Sequence, residues 1–329
     1  MFYSAENNLN ASYWDTYIPF VDEQMTSGYL RVPDGVELHY RFYVPQHAIG
    51  LVLVMTGRAE STDKYAELLF ELYQNDYAVV IYDHRGQGRS TRQCKNPNIG
   101  YVTDFEYYVQ DASAILDQVI KPLNLHNLPQ FLIAHSMGAA IATKLLVLRQ
   151  QEFSAAALMA PMYGIAAPIP IWLGKTLAWI KIAIEKICRK DASYFIGQGN
   201  YFPVAFEKNH LTHSKIRYSK FIETHAKRAE LQLGGISPRW LLSAIEGMES
   251  IFEAAKTVYI PCSVFLAEKD TVVSKSAIRH VVSAMRNASL YQMHDSQHEI
   301  LFEIDTERKQ AMTSIYALFN KHTLTPVSE

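Results

Sequence analysis

A serine hydroxyl is a weak nucleophile at neutral pH. It becomes useful beside a base, a group that orients the base, and N–H donors for the developing oxyanion. Ser136 stands where such a nucleophile belongs. The apolar run Phe131-Leu132-Ile133-Ala134 leads into His135-Ser136-Met137-Gly138, and Ala139, Ala140 and Ala142 follow in a helical pattern. A sharp strand-to-helix turn exposes the serine oxygen, and small flanking residues relieve the crowding. Gly138 suits close helix–strand packing. Position 134 holds alanine where a glycine is expected, and a strand position can accept that methyl group.

Two further residues complete a nucleophile–base–acid set. Asp270 follows the apolar run Val264-Phe265-Leu266, and His298 lies beyond Leu290–Met293, in Asp295-Ser296-Gln297-His298-Glu299. Each is expected just past the carboxyl end of a strand, where open parallel sheets carry out their chemistry. His298 would be the base and Asp270 the acid that orients it. His294 is a rival base, although it ends its strand, and Glu268 is a rival acid. His135 adjoins the nucleophile, but the turn should direct it away and into packing.

For the oxyanion, one donor is the Met137 N–H, at a helix N-terminus whose dipole favours negative charge. The other is the Arg58 N–H in Thr56-Gly57-Arg58-Ala59-Glu60, with Gly57 of the same loop as the alternative. The segment Asp83-His84-Arg85-Gly86-Gln87-Gly88-Arg89-Ser90 has neither a Gly-x-Gly-x-x-Gly nor a Gly-Lys-Ser/Thr pattern, so it reads as a polar loop bracing the site's rim rather than a phosphate cradle. This chemistry calls for no metal and no organic cofactor.

The elements that would position these residues alternate. Tyr29–Val32 and Val36–Tyr40 flank the turn Pro33-Asp34-Gly35 as a hairpin. Apolar runs at Leu51–Met55, Ala78–Tyr82, Phe131–Ala134, Ala155–Met159, Ser263–Leu266 and Leu290–Met293 predict strands. Amphipathic helices are predicted from about Ser61, from Asp104 and from Ser136 to near Arg149. Such alternation predicts an α/β fold with a mostly parallel sheet and helices on both faces. It breaks off between about Ile165 and Arg239, where Pro168 and Pro170 open an apolar, lysine-dotted stretch. The predicted organisation is therefore a core in two parts, 1–164 and 239–329, with an inserted helical cap at 165–238.

A formal charge of −2 over 329 residues provides no basic field for nucleic acid. The cysteines Cys94, Cys188 and Cys262 form no Cys-x-x-Cys pair, which argues against a zinc site or disulfide framework and suits a reducing compartment. The N-terminus has no basic start followed by an apolar run, so no signal peptide is expected. No run reaches the roughly 18 apolar residues of a spanning helix. The expectation is a cytoplasmic protein with no obligate protein partner. Trp172, Leu173, Leu177, Trp179, Ile180, Ile184 and Ile187, interleaved with lysines, are candidates either to line an acyl tunnel or to rest peripherally on the inner membrane face.

The chain order nucleophile, acid, histidine is that of the α/β-hydrolases. Thr56-Gly57-Arg58-Ala59-Glu60-Ser61, Asp83–Ser90, Ala134–Gly138, Glu268-Lys269-Asp270 and Gln297-His298-Glu299 together resemble the monoacylglycerol lipase-like branch. Within it, the Thr-Gly-Arg loop, the Ala-His-Ser-Met-Gly turn and the segment Asn209–Tyr218 are most similar to bacterial lysophospholipases. The resemblance implies a lipid-like ester substrate: hydrolysis of the remaining acyl ester of a lysophospholipid, with some acyl transfer between lysolipids. The same scaffold also serves monoacylglycerol lipases and esterases of other small esters, and more rarely non-catalytic binding.

Overall fold

The computed structural model describes residues 1–167 and 169–323; Pro168, read from sequence as opening the cap, lies outside them. Its eight strands are β1 (Thr26–Arg31), β2 (Glu37–Tyr43), β3 (Gly50–Met55), β4 (Tyr77–Tyr82), β5 (Gln130–His135), β6 (Ala155–Met159), β7 (Cys262–Ala267) and β8 (Ala288–Met293). They form one sheet in the order β1-β2-β4-β3-β5-β6-β7-β8. Strand β2 alone runs against the others, pairing antiparallel with β1, Leu30 opposite Leu38, and with β4, and β3 to β8 are mutually parallel.

Strands β3, β4, β6 and β7 are buried at every position. Successive strand side chains point to opposite faces, so complete burial requires cover on both. The helices are α1 (Glu6–Ser12), α2 (Ala66–Gln74), α3 (Glu106–Ile115), α4 (Met137–Arg149), α5 (Ile171–Ile187), α6 (Lys215–Lys227), α7 (Pro238–Ala255), α8 (Lys275–Ala284) and α9 (Asp305–Thr323), of which α2, α4, α8 and α9 pack directly on the strands. Helix α4 carries Ala139, Ala140, Ile141 and Ala142 fully buried, and α9 stacks Phe319 on Phe131 of β5 at 4.2 Å. The predicted helix from Ser61 begins as a 3-10 turn, Thr62–Tyr65, before α2 takes over.

Helices α5 and α6 lie between β6 and α7, within the interval 165–238. Single bridges from Ile165 to Val273 and from Ile236 to Gly100 tie both ends of that interval to loops of the core. Helix α6 is capped by Ser214, whose side chain accepts from the Arg217 N–H, and α7 by Ser237, which accepts from the Trp240 N–H. The first 25 residues, unassigned from sequence, form α1 and two wide turns, Tyr13–Tyr17 and Phe20–Gln24. They bury Leu9, Tyr13, Tyr17, Phe20 and Val21.

Candidate active site

Strand β5 ends at His135, and Ser136 caps α4 with φ of 51° and ψ of −115°. A non-glycine residue held there is strained by roughly 1–3 kcal/mol, so its neighbours must hold it. They do so through backbone bonds: the Ser136 N–H donates to Met159 O at 2.9 Å, and its carbonyl accepts from Ala139, Ala140 and Met162. Gly138 is required by close approach, since a Cβ there would lie 2.4 Å from Thr56 O and 2.5 Å from Met55 O. Ala134 sits inside the strand beside Met55 and Leu158 and is fully buried, which is why alanine is tolerated.

Asp270 follows β7 and His298 follows β8, and both turn back toward Ser136. His298 Nε2 lies 2.9 Å from Ser136 Oγ, and His298 Nδ1 lies 2.7 Å from Asp270 Oδ2. The other carboxylate oxygen of Asp270 accepts the N–H groups of Val272 at 2.6 Å and Val273 at 3.1 Å. Burial alone would raise the Asp270 pKa, but His298 and these two amides outweigh it and hold the carboxyl below its ordinary value. All three side chains are buried. The rivals lie elsewhere: His294 is exposed, and Glu268 is bonded to Arg279 and paired with Lys275.

The loop after β3 separates the two oxyanion candidates. The Gly57 N–H donates to Glu60 Oε2, whereas the N–H groups of Arg58 and Met137 donate to no protein acceptor among the described residues. Gln87 braces this loop by donating to Gly57 O at 2.8 Å and Glu60 O at 2.9 Å and by accepting from the Ala59 N–H. Asp83, in the same polar turn, accepts from the N–H groups of Thr62 and Arg89. The loop 83–90 thus braces the loop after β3.

Sequence reasoning missed a buried ionic cluster directly under the site. His135, expected only to pack, has its Nδ1 3.1 Å from Glu60 Oε1 and its Nε2 3.2 Å from His298 O. Burial alone would make His135 harder to protonate, but the Glu60 carboxylate raises its pKa. Glu60 also accepts from Lys64 at 2.8 Å and from Tyr65 at 2.7 Å, and Lys64 reaches Glu299. Two of these residues were visible in motifs, Glu60 in the loop after β3 and Glu299 beside His298. Lys64 offered no signal.

A groove of about 500 Å³ runs under α5. Its walls are apolar and include Ile165, Leu177, Phe195, Ile236, Leu241 and Ile245. One end adjoins the Asp270 loop, because the Ala166 N–H donates to Val272 O. The other approaches the loop after β3, where Arg58 Nη2 donates to Gly234 O, two residues from Ile236. Of the apolar α5 residues weighed for an acyl tunnel, Leu177 lines this groove; Leu173 is half-buried, Ile180 and Ile184 are exposed along a second groove that Leu177 also borders, and Trp172, Trp179 and Ile187 are exposed.

Residues 46–305 match the model of the Hydrolase_4 family, described as serine aminopeptidase, S33. The chain belongs to that family of α/β-hydrolases. Lysophospholipase L2 of Escherichia coli (strain K12) is 33% identical over 300 residues, covering 88% of this chain and 86% of that protein. The probable lysophospholipase L2 of Haemophilus influenzae is 30% identical over 305 residues, covering 92% and 94%. A soluble variant of monoglyceride lipase from Saccharomyces cerevisiae superimposes with a TM-score of 0.71 at 18% identity, over 92% of this chain and 96% of that one, a likeness of fold. This α/β-hydrolase is a carboxylic ester hydrolase.

Proposed function

We propose that this α/β-hydrolase cleaves the acyl ester of lysophospholipids, with Ser136 as nucleophile, His298 as base and acid, and Asp270 as the group that orients His298. The observation that carries the chemistry is the unbroken hydrogen-bond line from Asp270 through His298 to Ser136 Oγ. The relatives and the apolar groove beneath α5 support a lipid-like acyl chain. The interval 165–238 would act as the cap over that chain.

In the first step Ser136 Oγ attacks the ester carbonyl while its proton passes to His298 Nε2. Asp270 keeps the Nδ1 proton in place and stabilises the imidazolium. The negative oxygen is held by the N–H groups of Arg58 and Met137, fixed before the reaction and needing no reorganisation. Collapse breaks the ester C–O bond, and His298 returns its proton to the departing glycerophosphoryl alcohol. Water then attacks the acyl-serine, giving a proton to His298, and Ser136 regains it as the fatty acid leaves.

No helix among the described residues is long and apolar enough to cross a membrane. The exposed face of α5 favours a peripheral contact instead: Trp172, Trp179, Ile180, Ile184 and Ile187 form one apolar stripe. Lys181, Lys186, Arg189 and Lys190 flank it. Three free cysteines suit a reducing cytoplasm, from which the cap would meet the inner leaflet.

The test is turnover of lysophosphatidylethanolamine, lysophosphatidylcholine, monoacylglycerol and short nitrophenyl esters by wild type and Ser136→Ala. The substitution should lower kcat about 10⁴–10⁶-fold with the fold intact. A folded Ser136→Ala protein that keeps most of its activity would remove the nucleophile assignment, and a preference for short soluble esters would remove the lysophospholipid.

A further inference from the structure

Buried cations in this protein meet carboxylates. Lys64 lies between Glu60 and Glu299, and the Arg85 guanidinium forks onto Asp111. Arg92, without a carboxylate, is saturated by the carbonyl oxygens of Gly86, Gly88, Pro97, Glu230 and Gln232. Arg58 has neither solution. Its Nη2 donates to Gly234 O at 2.6 Å, its Nε is buried and donates to nothing, and no carboxylate lies at ion-pair distance among the described residues. The guanidinium sits over the Trp240 ring, 5.2 Å from its centroid. Burial pushes its pKa down to about 10, with only Tyr108 and Tyr194 opposing, whereas Arg85 is raised by Asp111 and Asp34.

A largely desolvated guanidinium lacking an acceptor for one of its N–H groups is costly by itself and is relieved by an incoming anion. The planar fork of arginine suits phosphate oxygens. The position also fits. The backbone N–H of the same residue is the proposed oxyanion donor, roughly six covalent bonds from the guanidinium carbon. In a 1-acyl lysophospholipid the phosphorus is likewise roughly six bonds from the ester carbonyl. Equal spans are what one residue needs to address both ends of the substrate's polar region, and the residues the guanidinium touches, Gly234 and Trp240, are chain neighbours of Ile236 and Leu241 in the groove wall.

We propose that the Arg58 guanidinium receives the substrate's phosphodiester and selects phosphate-bearing lysolipids over neutral acylglycerols. This rests on the lipid-ester reading above. The test compares kcat/KM of the full chain for lysophosphatidylethanolamine and for a monoacylglycerol of the same chain length, in wild type, Arg58→Met and Arg58→Lys. The two variants keep the backbone N–H. The ratio of the two kcat/KM values should fall about 10- to 100-fold in Arg58→Met and recover partly in Arg58→Lys, the worth of a charge-assisted hydrogen bond. Inorganic phosphate should inhibit wild-type turnover of a short nitrophenyl ester and lose that effect in Arg58→Met.

If both substrates decline together, Arg58 only holds the roof through Gly234 and Trp240, and the proposal is wrong. Phosphate inhibition with an unchanged substrate ratio would make this a free-anion site and equally overturn it. A wild type inactive on all lysolipids would sink the lysophospholipid reading, and with it the choice of ligand. The phosphate arm would still report separately whether Arg58 binds an anion. Should Arg58→Met not fold, the ratio in Arg58→Lys and the wild-type phosphate inhibition decide.

Discussion

Helices α6 and α5 both lie between β6 and α7, yet α6 is held to the core by charge and α5 by small apolar contacts. Arg217 of α6 forks onto Glu67 with two bonds of 2.8 Å and reaches Asp305 at 2.8 Å and the Glu303 carbonyl. Arg228, just past α6, pairs with Asp63 and Asp22. The N-terminal segment adds Tyr13 to Thr224 at 3.0 Å and Trp14 to Glu223 at 3.0 Å. Among the described residues, helix α5 buries only Gly174 and Ala178, makes one ion pair, Lys175 to Glu249, and leaves Trp172 67% and Ile187 81% exposed. The contrast teaches a division of labour. Buried charges tolerate one register, which suits a fixed roof, whereas small apolar contacts leave a groove below and a greasy face above.

The largest effect should come from breaking the charged half. Arg217→Met removes two hydrogen bonds from buried Glu67 and leaves it with Arg308 at 3.8 Å, so the loss should fall toward the lower end of the about 3–5 kcal/mol that breaking a buried pair costs. Denaturant unfolding should show this loss, while Trp179→Ala on α5 should stay within about 0.5 kcal/mol of wild type. Equal losses from the two substitutions would erase the distinction between the halves.

The apolar half should instead respond in chain-length preference. A Cβ added at Gly174 would meet only Ile169 Cδ1, at 3.9 Å, and Gly174 lines the groove, so a larger side chain there would take up groove space. Gly174→Leu should lower the ratio of long-chain to short-chain ester kcat/KM by about tenfold, the worth of one or two lost methylene contacts. A ratio that does not move would mean the acyl chain binds elsewhere.

The same contrast explains what could be read in advance. The turn at Ser136 was legible because β5 and α4 write different periodicities on either side of it. Asp270 and His298 were legible as polar residues directly after apolar runs. Ionic partners leave no such local mark: Lys64 and Glu299 are 235 residues apart, and each alone looks like a solvated charge. Leu9, Tyr13, Tyr17 and Val21 do recur at helical spacing, but polar residues interrupt them, and the Thr224 partner of Tyr13 lies 211 residues on. In α5 apolar residues occupy most of the circumference, so the pattern could not choose which side faces the groove. The buried residues Gly174 and Ala178 mark the inner side, and Gly174 faces the groove itself.

The smallest effect should appear at the outer face of α5. Lys181, Lys186, Arg189 and Lys190 make no ion pair among the described residues, unlike Lys175, which is tied to Glu249. Free basic groups beside an apolar stripe are attracted to anionic headgroups, each worth about 1 kcal/mol, which is roughly a fivefold change in partition. Co-sedimentation with vesicles rich in anionic lipid should therefore weaken about fivefold for Lys186→Gln, and again for Lys181→Gln added to it, and the loss should vanish on neutral vesicles. Raising the salt should mimic the substitutions, because the attraction is screened within about 10 Å at 0.1 M ionic strength. The same lysine changes made on α6, whose Lys220 is already paired with Glu223, should leave vesicle binding unaltered. Binding lost equally from both helices would mean that net charge, not the α5 face, draws the protein to lipid.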